Sequence, residues 1–253
     1  MEINNAVVLV TGANGGIGSH FVAQLLQLQV AKIYVCARSI SKLQPLVTLD
    51  PTKIIPIELD VTNPQSVTAA AASCPDVTIL INNAGTSLNH GMISAPDLEA
   101  ARAEMDVNYF GMAAMCRAFA PILKQHGGGA IVNILSLLGK VNLPFSGSYS
   151  ASKAAAISMT QSVRAELAAQ NTLVVGVMPG TVDTDLAKVW PDPKVAPAEV
   201  AKAALQAVID QAEDVYPGEQ AAQVSAQLLA DPKGVEKYMA SFLPGMQLAG
   251  TNA

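Results

Sequence analysis

The chain has 253 residues, 51% of them apolar and 14% charged, which excludes disorder and allows one large α/β domain or two small ones around a sizeable core. A formal net charge of −5 excludes general attraction to nucleic acid or to an anionic membrane, so any bound phosphate needs a local site. No apolar run is long enough to span a bilayer, and the opening residues MEINN lack the basic and apolar segments of a secretory leader, so a cytoplasmic protein is expected.

The first predicted strand, Ala6–Val10, runs into Thr11 and the cluster TGANGGIG, and a helical pattern follows over Gly16–Leu28. Glycine permits the sharp turn, and without a Cβ it lets a pyrophosphate approach the backbone. The first N–H groups of the helix have no partner inside it, and its dipole favours an anion there. A dinucleotide is therefore expected at Gly12, Asn14, Gly15, Gly16, Ile17 and Gly18, although such a turn can also be purely structural.

The second strand, Lys32–Ala37, ends in YVCARS. A carboxylate that would hold the adenosine ribose is replaced there by Ala37 and Arg38. A guanidinium suits a 2′-phosphate, so Arg38, with Ser39, favours NADP(H) over NAD(H) unless Arg38 is an ordinary solvated charge. Position 15 carries glycine and not a second cation, so NAD(H) is tolerated.

The third strand, Lys53–Leu59, leads into ELDVT, where Asp60 beside Val61 suits an adenine amino group or caps the next helix, Pro64–Ala72; Thr62 or Asn63 suits the cap better. The fourth strand, Val77–Ile81, is followed by NNAG. A long helix is predicted over Arg102–Gln125, carrying Asn108 in MDVNYFG. The fifth strand, Ala130–Leu135, closes on Ser136, and Leu137 and Leu138 after it form either an apolar substrate wall or core packing.

SYSASK opens a helix over Tyr149–Ala169 and places Tyr149 and Lys153 four apart, on one helical face. A phenol with a pKa of about 10 is a poor proton shuttle at neutral pH, and an adjacent ammonium is expected to lower it. The sixth strand, Leu173–Val177, leads into PGTVDT; a short loop over 186–196 with Trp190 reads as a lid, Pro197–Gln211 as a helix, and a short strand lies near Val215. Residues 217–253 are appended without assigned elements.

Continuous apolar strands alternating with helices imply a parallel sheet covered on both faces and doubly wound. No linker or repeat divides the chain, so one domain over 1–253 is expected. Cys36, Cys74 and Cys116 show no CxxC spacing, and His20, His90 and His126 are scattered, so neither a disulfide framework nor a metal site is expected.

With TGANGGIG, NNAG, Asn108, Ser136, Tyr149 with Lys153, and PGTVDT in this order, the sequence closely resembles the short-chain dehydrogenase/reductase family from about Val7 to Val215. The resemblance implies a single Rossmann-type domain with a seven-stranded parallel sheet and a catalytic tetrad of Asn108, Ser136, Tyr149 and Lys153. In it Ser136 orients a substrate carbonyl and Tyr149 exchanges its proton. Lys153 holds the nicotinamide ribose and lowers the Tyr149 pKa, while Asn108 interrupts its helix and holds a water. It further implies Asn83, Ala84 and Gly85 along the adenosine, with Asn83 alternatively only tying strands together, and Pro179, Gly180, Val182 and Thr184 about the nicotinamide.

The expected function is NADPH-dependent reduction of a hydrophobic ketone or aldehyde, with Leu137, Leu138 and Trp190 in the substrate pocket. The alternatives are a 3-oxoacyl-carrier-protein reductase, with Lys140 toward the carrier, and a non-catalytic NADP(H) sensor. The apolar helices Arg102–Gln125 and Ser152–Ala169 need another covering layer, and the resemblance implies that they pair across a two-fold axis, so a dimer or tetramer is expected.

Overall fold

The computed structural model describes residues 2–243. Seven strands, β1 (Val7–Thr11), β2 (Lys32–Ala37), β3 (Ile54–Glu58), β4 (Ile79–Asn82), β5 (Gly129–Ile134), β6 (Thr172–Val177) and β7 (Asp214–Val215), form one parallel sheet in the order β3-β2-β1-β4-β5-β6-β7. The helices are α1 (Gly16–Gln27), α2 (Gln44–Val47), α3 (Pro64–Ser73), α4 (Glu99–Met105), α5 (Met112–Gln125), α6 (Gly147–Leu167), α7 (Pro197–Asp210), α8 (Glu219–Ala230) and α9 (Pro232–Ala240).

Alternating strand residues feed two cores. Val8 and Val10, with Ile33, Val35, Ile79 and Ile81, pack against Phe21, Leu25, Val200 and Leu205, under α1 and α7. Leu9, Leu80 and Ile131 point the other way, onto Val67, Met115, Phe119 and Ala156 under α3, α5 and α6. Burial on both faces explains why the strands read as continuous apolar runs and not as alternation. The strand order reverses between β1 and β4, which opens a crevice at their carboxyl ends.

Most predicted boundaries fall within one or two residues of the observed ones. The exception is the start of the helix predicted over Arg102–Gln125, which lies at Glu99; a π-turn over Asp106–Gly111 breaks that helix at Asn108, as the family resemblance implied. The break centres on Asn108, whose side chain leaves the helix to bind the backbone of Thr86. Helices α8 and α9 were not expected. Asp231 caps α9 by accepting from the Gly234 N–H at 2.9 Å, and Val235 and Met239 pack with Val141. The rest of the appended segment, residues 244–253, lies outside the described residues.

All three cysteines are buried, and burial raises their thiols, Cys74 and Cys116 to about 12. Among the described residues there is no His/Cys/Asp/Glu group that could hold a metal ion and no helix long and apolar enough to cross a membrane.

Candidate active site

A cavity of about 980 Å³ runs along the carboxyl ends of the strands, from Arg38 and Asp60 at one end to Trp190 and Phe242 at the other. At its centre β1 turns into α1. Gly12 takes φ +61°, and a Cβ there would sit 3.0 Å from the Ala84 Cα. The turn is stitched to the end of β4. The Asn83 side chain donates to the carbonyls of Thr11 (2.9 Å) and Gly12 (3.0 Å), and the Thr11 hydroxyl accepts from the Asn83 and Ala84 N–H groups at 2.9 Å each. Both donors of the Asn83 amide are spent on this tie, the alternative left open by the sequence, while Asn83, Ala84 and Gly85 still line the cavity. Asn82 lies behind, donating to Asn133 Oδ1 at 2.9 Å.

Gly12, Asn14, Gly15, Gly16 and Ile17 line the cavity. Gly18 does not: it is the point where α1 presses on the turn. A Cβ on Gly18 would stand 2.3 Å from the Gly12 carbonyl oxygen and 2.9 Å from the Ala13 Cα, both backbone. Gly18→Ala is therefore expected to cost about 1–3 kcal/mol of stability and to weaken dinucleotide binding; denaturant midpoints and a cofactor titration check both.

Arg38 is exposed at the adenosine-side rim, with Ala37 and Asp60 lining the wall beside it. Ser39 does not line the cavity; its hydroxyl lies 2.9 Å from that of Ser41, drawn into the turn after β2. Asp60 accepts from the hydroxyl and N–H of Thr62 at 2.7 and 2.9 Å. The Thr62 hydroxyl above all, helped by the Thr62 N–H and the Arg38 charge against a partial desolvation, holds its carboxyl below the usual range. Asn63 supplies the α3 cap, accepting from the Gln65 and Ser66 N–H groups at 2.9 and 3.2 Å, which leaves Asp60 at the cavity.

Ser136, at the end of β5, and Tyr149 and Lys153, on the first turns of α6, line the cavity together. Asn108 is fully buried behind them. Its amide accepts from the Thr86 N–H at 2.9 Å and donates to the Thr86 carbonyl at 2.8 Å and to the Ser152 hydroxyl at 3.0 Å. Its polar atoms are thus bound within the protein, and what it does directly is fix Thr86 and α6.

The electrostatics of the pair differ from the expectation. Burial raises the Tyr149 phenol to about 12, with a hydrogen bond to Ser136 drawing it back and the Glu104 charge adding to the rise. Burial lowers the Lys153 amine to about 8. The amine stands 5.7 Å from the Tyr149 ring centroid and donates to the Ile134 carbonyl at 2.9 Å, so desolvation outweighs the attraction that spacing alone suggested.

Beyond Tyr149 the walls turn apolar. Leu137, Leu138 and Trp190 are there as expected, Leu137 also packing into the protein as a buried side chain. They are joined by Leu186, the first residue of the expected lid, and by Leu88, Leu143, Tyr238 and Met239, which sequence reasoning did not identify. Trp190 stacks on Phe145 at 5.4 Å, and Tyr238 meets Phe242 edge-on at 5.2 Å. The loop carrying Trp190 is anchored where Val195 bridges Val182, its N–H donating to the Thr181 carbonyl at 2.8 Å. Pro179, Gly180, Val182 and Thr184 line the wall between this loop and the glycine turn. Lys140 is exposed and does not line the cavity.

The family described as short chain dehydrogenase matches residues 6–195. A mouse protein named dehydrogenase/reductase SDR family member 7B is 35% identical over 198 residues, 73% of this chain and 60% of that protein. The chain thus spans about 60% of the length of such relatives. A Schizosaccharomyces pombe protein named NADP-dependent 3-hydroxy acid dehydrogenase is 28% identical over 196 residues, 74% of this chain and 76% of that one. The crystal structure of a short chain dehydrogenase from Burkholderia cenocepacia J2315 in complex with NADP superimposes with a TM-score of 0.90 at 42% identity, covering 94% of this chain and 99% of that one.

Proposed function

The chain belongs to the short-chain dehydrogenase/reductase family, and on that premise we propose that it is an NADP(H)-dependent carbonyl reductase, taking a hydrophobic ketone or aldehyde to the alcohol and reversing the reaction when the alcohol is in excess. The observation that carries this reading is one cavity with a glycine turn and Arg38 toward one end and Ser136, Tyr149 and Lys153 facing an apolar chamber at the other.

The cavity fits a dinucleotide. Gly15 has open space where a side chain would be, and α1 begins without a side-chain cap or an acidic residue in its first turn. In this reading Gly12, Asn14, Gly15, Gly16 and Ile17 cradle the pyrophosphate, while Gly18 allows the close packing that shapes the cradle. Arg38 takes the 2′-phosphate, as befits a relative crystallised with NADP at 42% identity. Asp60, Val61 and the Asn83–Gly85 segment flank the adenosine, Lys153 holds the nicotinamide ribose, and Pro179, Gly180, Val182 and Thr184 border the nicotinamide. NADPH supplies the hydride when bound. Ser136 donates to the substrate carbonyl oxygen and orients it, and Tyr149 delivers the proton to the same oxygen.

The chamber argues for an uncharged substrate. Among the described residues lining it, the single cation is Lys153, buried and bound to Ile134; Asp192 and Asp185, the latter paired with Lys188 at 2.6 Å, bring negative charge. A carboxylate such as a 3-hydroxy acid meets no free partner there, and the exposed Lys140 gives an acidic carrier protein no patch at the mouth. The loop over 186–196 acts as the lid in this reading, and the exposed Phe110 on the π-turn belongs to a face shared between copies in a dimer or tetramer.

A panel of aryl and alkyl ketones, 3-oxoacyl thioesters and sugars, each with NADPH and NADH, tests the proposal. Turnover is expected with neutral apolar ketones and NADPH. Arg38→Ala should lower the NADPH-over-NADH preference by roughly 10–100-fold, the worth of charge-assisted hydrogen bonds to a phosphate. Turnover confined to carboxylates or carrier thioesters sinks it.

A further inference from the structure

Helix α4 buries a carboxyl group that the chemistry above does not use. Glu104 is 0% exposed. Its Oε1 accepts from the Leu88 N–H at 2.7 Å, and its Oε2 has no hydrogen-bond partner among the described residues. Burying a carboxyl group with an acceptor idle is costly, and an apolar residue would fill the position without that cost.

What the position offers is reach. Asn108 stands four residues on and binds Thr86 through both its N–H and its carbonyl. Glu104 binds Leu88, two residues beyond Thr86. One helical segment thus holds the chain after β4 at alternate residues. Gly85, Thr86, Ser87 and Leu88 all line the cavity, running from the dinucleotide cradle to the apolar chamber.

We propose that Glu104 is a positioning residue for the reaction, pinning Leu88 so that the chamber wall beside Ser136 and Tyr149 is set by the same helix that carries Asn108. This rests on the reductase reading above. The Glu104 carboxylate also bears on the proton donor, since its charge adds to the rise that burial imposes on the Tyr149 phenol. The other ionisable groups of the cavity are Asp106 on the π-turn, Lys153 on α6, Asp185 and Asp192 on the loop opposite, Tyr238 on α9, and Arg38 and Asp60 at the far end.

Glu104→Ala and Glu104→Gln separate pinning from charge. Alanine removes the acceptor. Hydrogen exchange of the Leu88 amide should then quicken by roughly tenfold or more, the worth of one hydrogen bond to a charged group, and KM for an apolar ketone should rise with a smaller change in kcat. Glutamine keeps an acceptor and drops the charge, so Leu88 protection and KM should stay near wild type. The alkaline fall of the reduction rate should move to lower pH, because reduction needs the phenol protonated and the phenol loses a neighbour that held its pKa up. A purely structural role would leave that limb in place. Unchanged Leu88 exchange in Glu104→Ala overturns the pinning, and so does an unshifted pH profile in a folded Glu104→Gln with Leu88 as exposed as in the alanine variant. The exchange measurement needs no substrate, so a chain that turns over no carbonyl yet shows the Leu88 contrast refutes the reductase reading and not the pin.

Discussion

Tyr149→Phe is expected to lower carbonyl reduction by roughly 10²–10⁴-fold, the span of general acid catalysis by a positioned side chain, while NADP(H) affinity stays within a few-fold of wild type. Phenylalanine keeps the ring and its place beside the Lys153 amine and removes only the hydroxyl. At about 12, the Tyr149 phenol carries its proton throughout the neutral range. It is therefore protonated and ready to donate in reduction across that range. Oxidation needs the phenolate, so its rate should climb with pH across the range where reduction is flat. Steady-state rates in both directions between pH 6 and pH 10, alongside a fluorescence titration of NADPH, read all of this. A variant that keeps its reductase rate removes Tyr149 from the chemistry. A variant whose biological effect survives while turnover is absent from wild type as well restores the sensor reading.

The strands were legible because burial on both faces makes each one a single apolar run, as in Leu9 between Val8 and Val10, and the chain order of the motifs was legible because each follows a strand. The parallel sheet does the rest: Gly12, Asn83, Ser136 and Pro179 all sit just past strand ends, so one edge of one sheet gathers them. What was not legible depends on contacts distant in the chain. The family resemblance implied the break at Asn108, but not the partner its side chain binds there, Thr86, 22 residues earlier. Tyr238 and Met239 enter the chamber because α9 docks on Val141 and Leu143, and PKGVEKYMA carries too few apolar residues to announce that dock. The Tyr149 and Lys153 spacing was read correctly as one face. The sign of the Tyr149 shift was not, because desolvation is a property of the packed site and spacing reports only proximity.

Lys153→Met should separate what the fold needs from what the site needs. Burial lowers the Lys153 amine from the ordinary 10.5 to about 8. At about 1.4 kcal/mol per tenfold change in proton affinity, the protonated amine is disfavoured in the native state by roughly 3 kcal/mol. Between about 8 and 10.5 the unfolded chain binds the proton that the native chain has given up, so wild-type stability rises with pH across that window, and the burden is fully present below it. Methionine fills a similar volume without a charge. It also leaves the Ile134 carbonyl without its 2.9 Å donor, a loss of about 1 kcal/mol. The cofactor-free variant should thus be more stable than wild type by about 2 kcal/mol at pH 7, with the advantage gone by pH 10.5, as urea midpoints at the two pH values would show. The same variant should lose roughly 10–100-fold in NADPH affinity or turnover, for want of a charged donor to the ribose. Lower stability at pH 7 would mean that the amine is held at its depth by more than one carbonyl. Greater stability with lost activity would mean that this cation weakens the fold and is there for the chemistry.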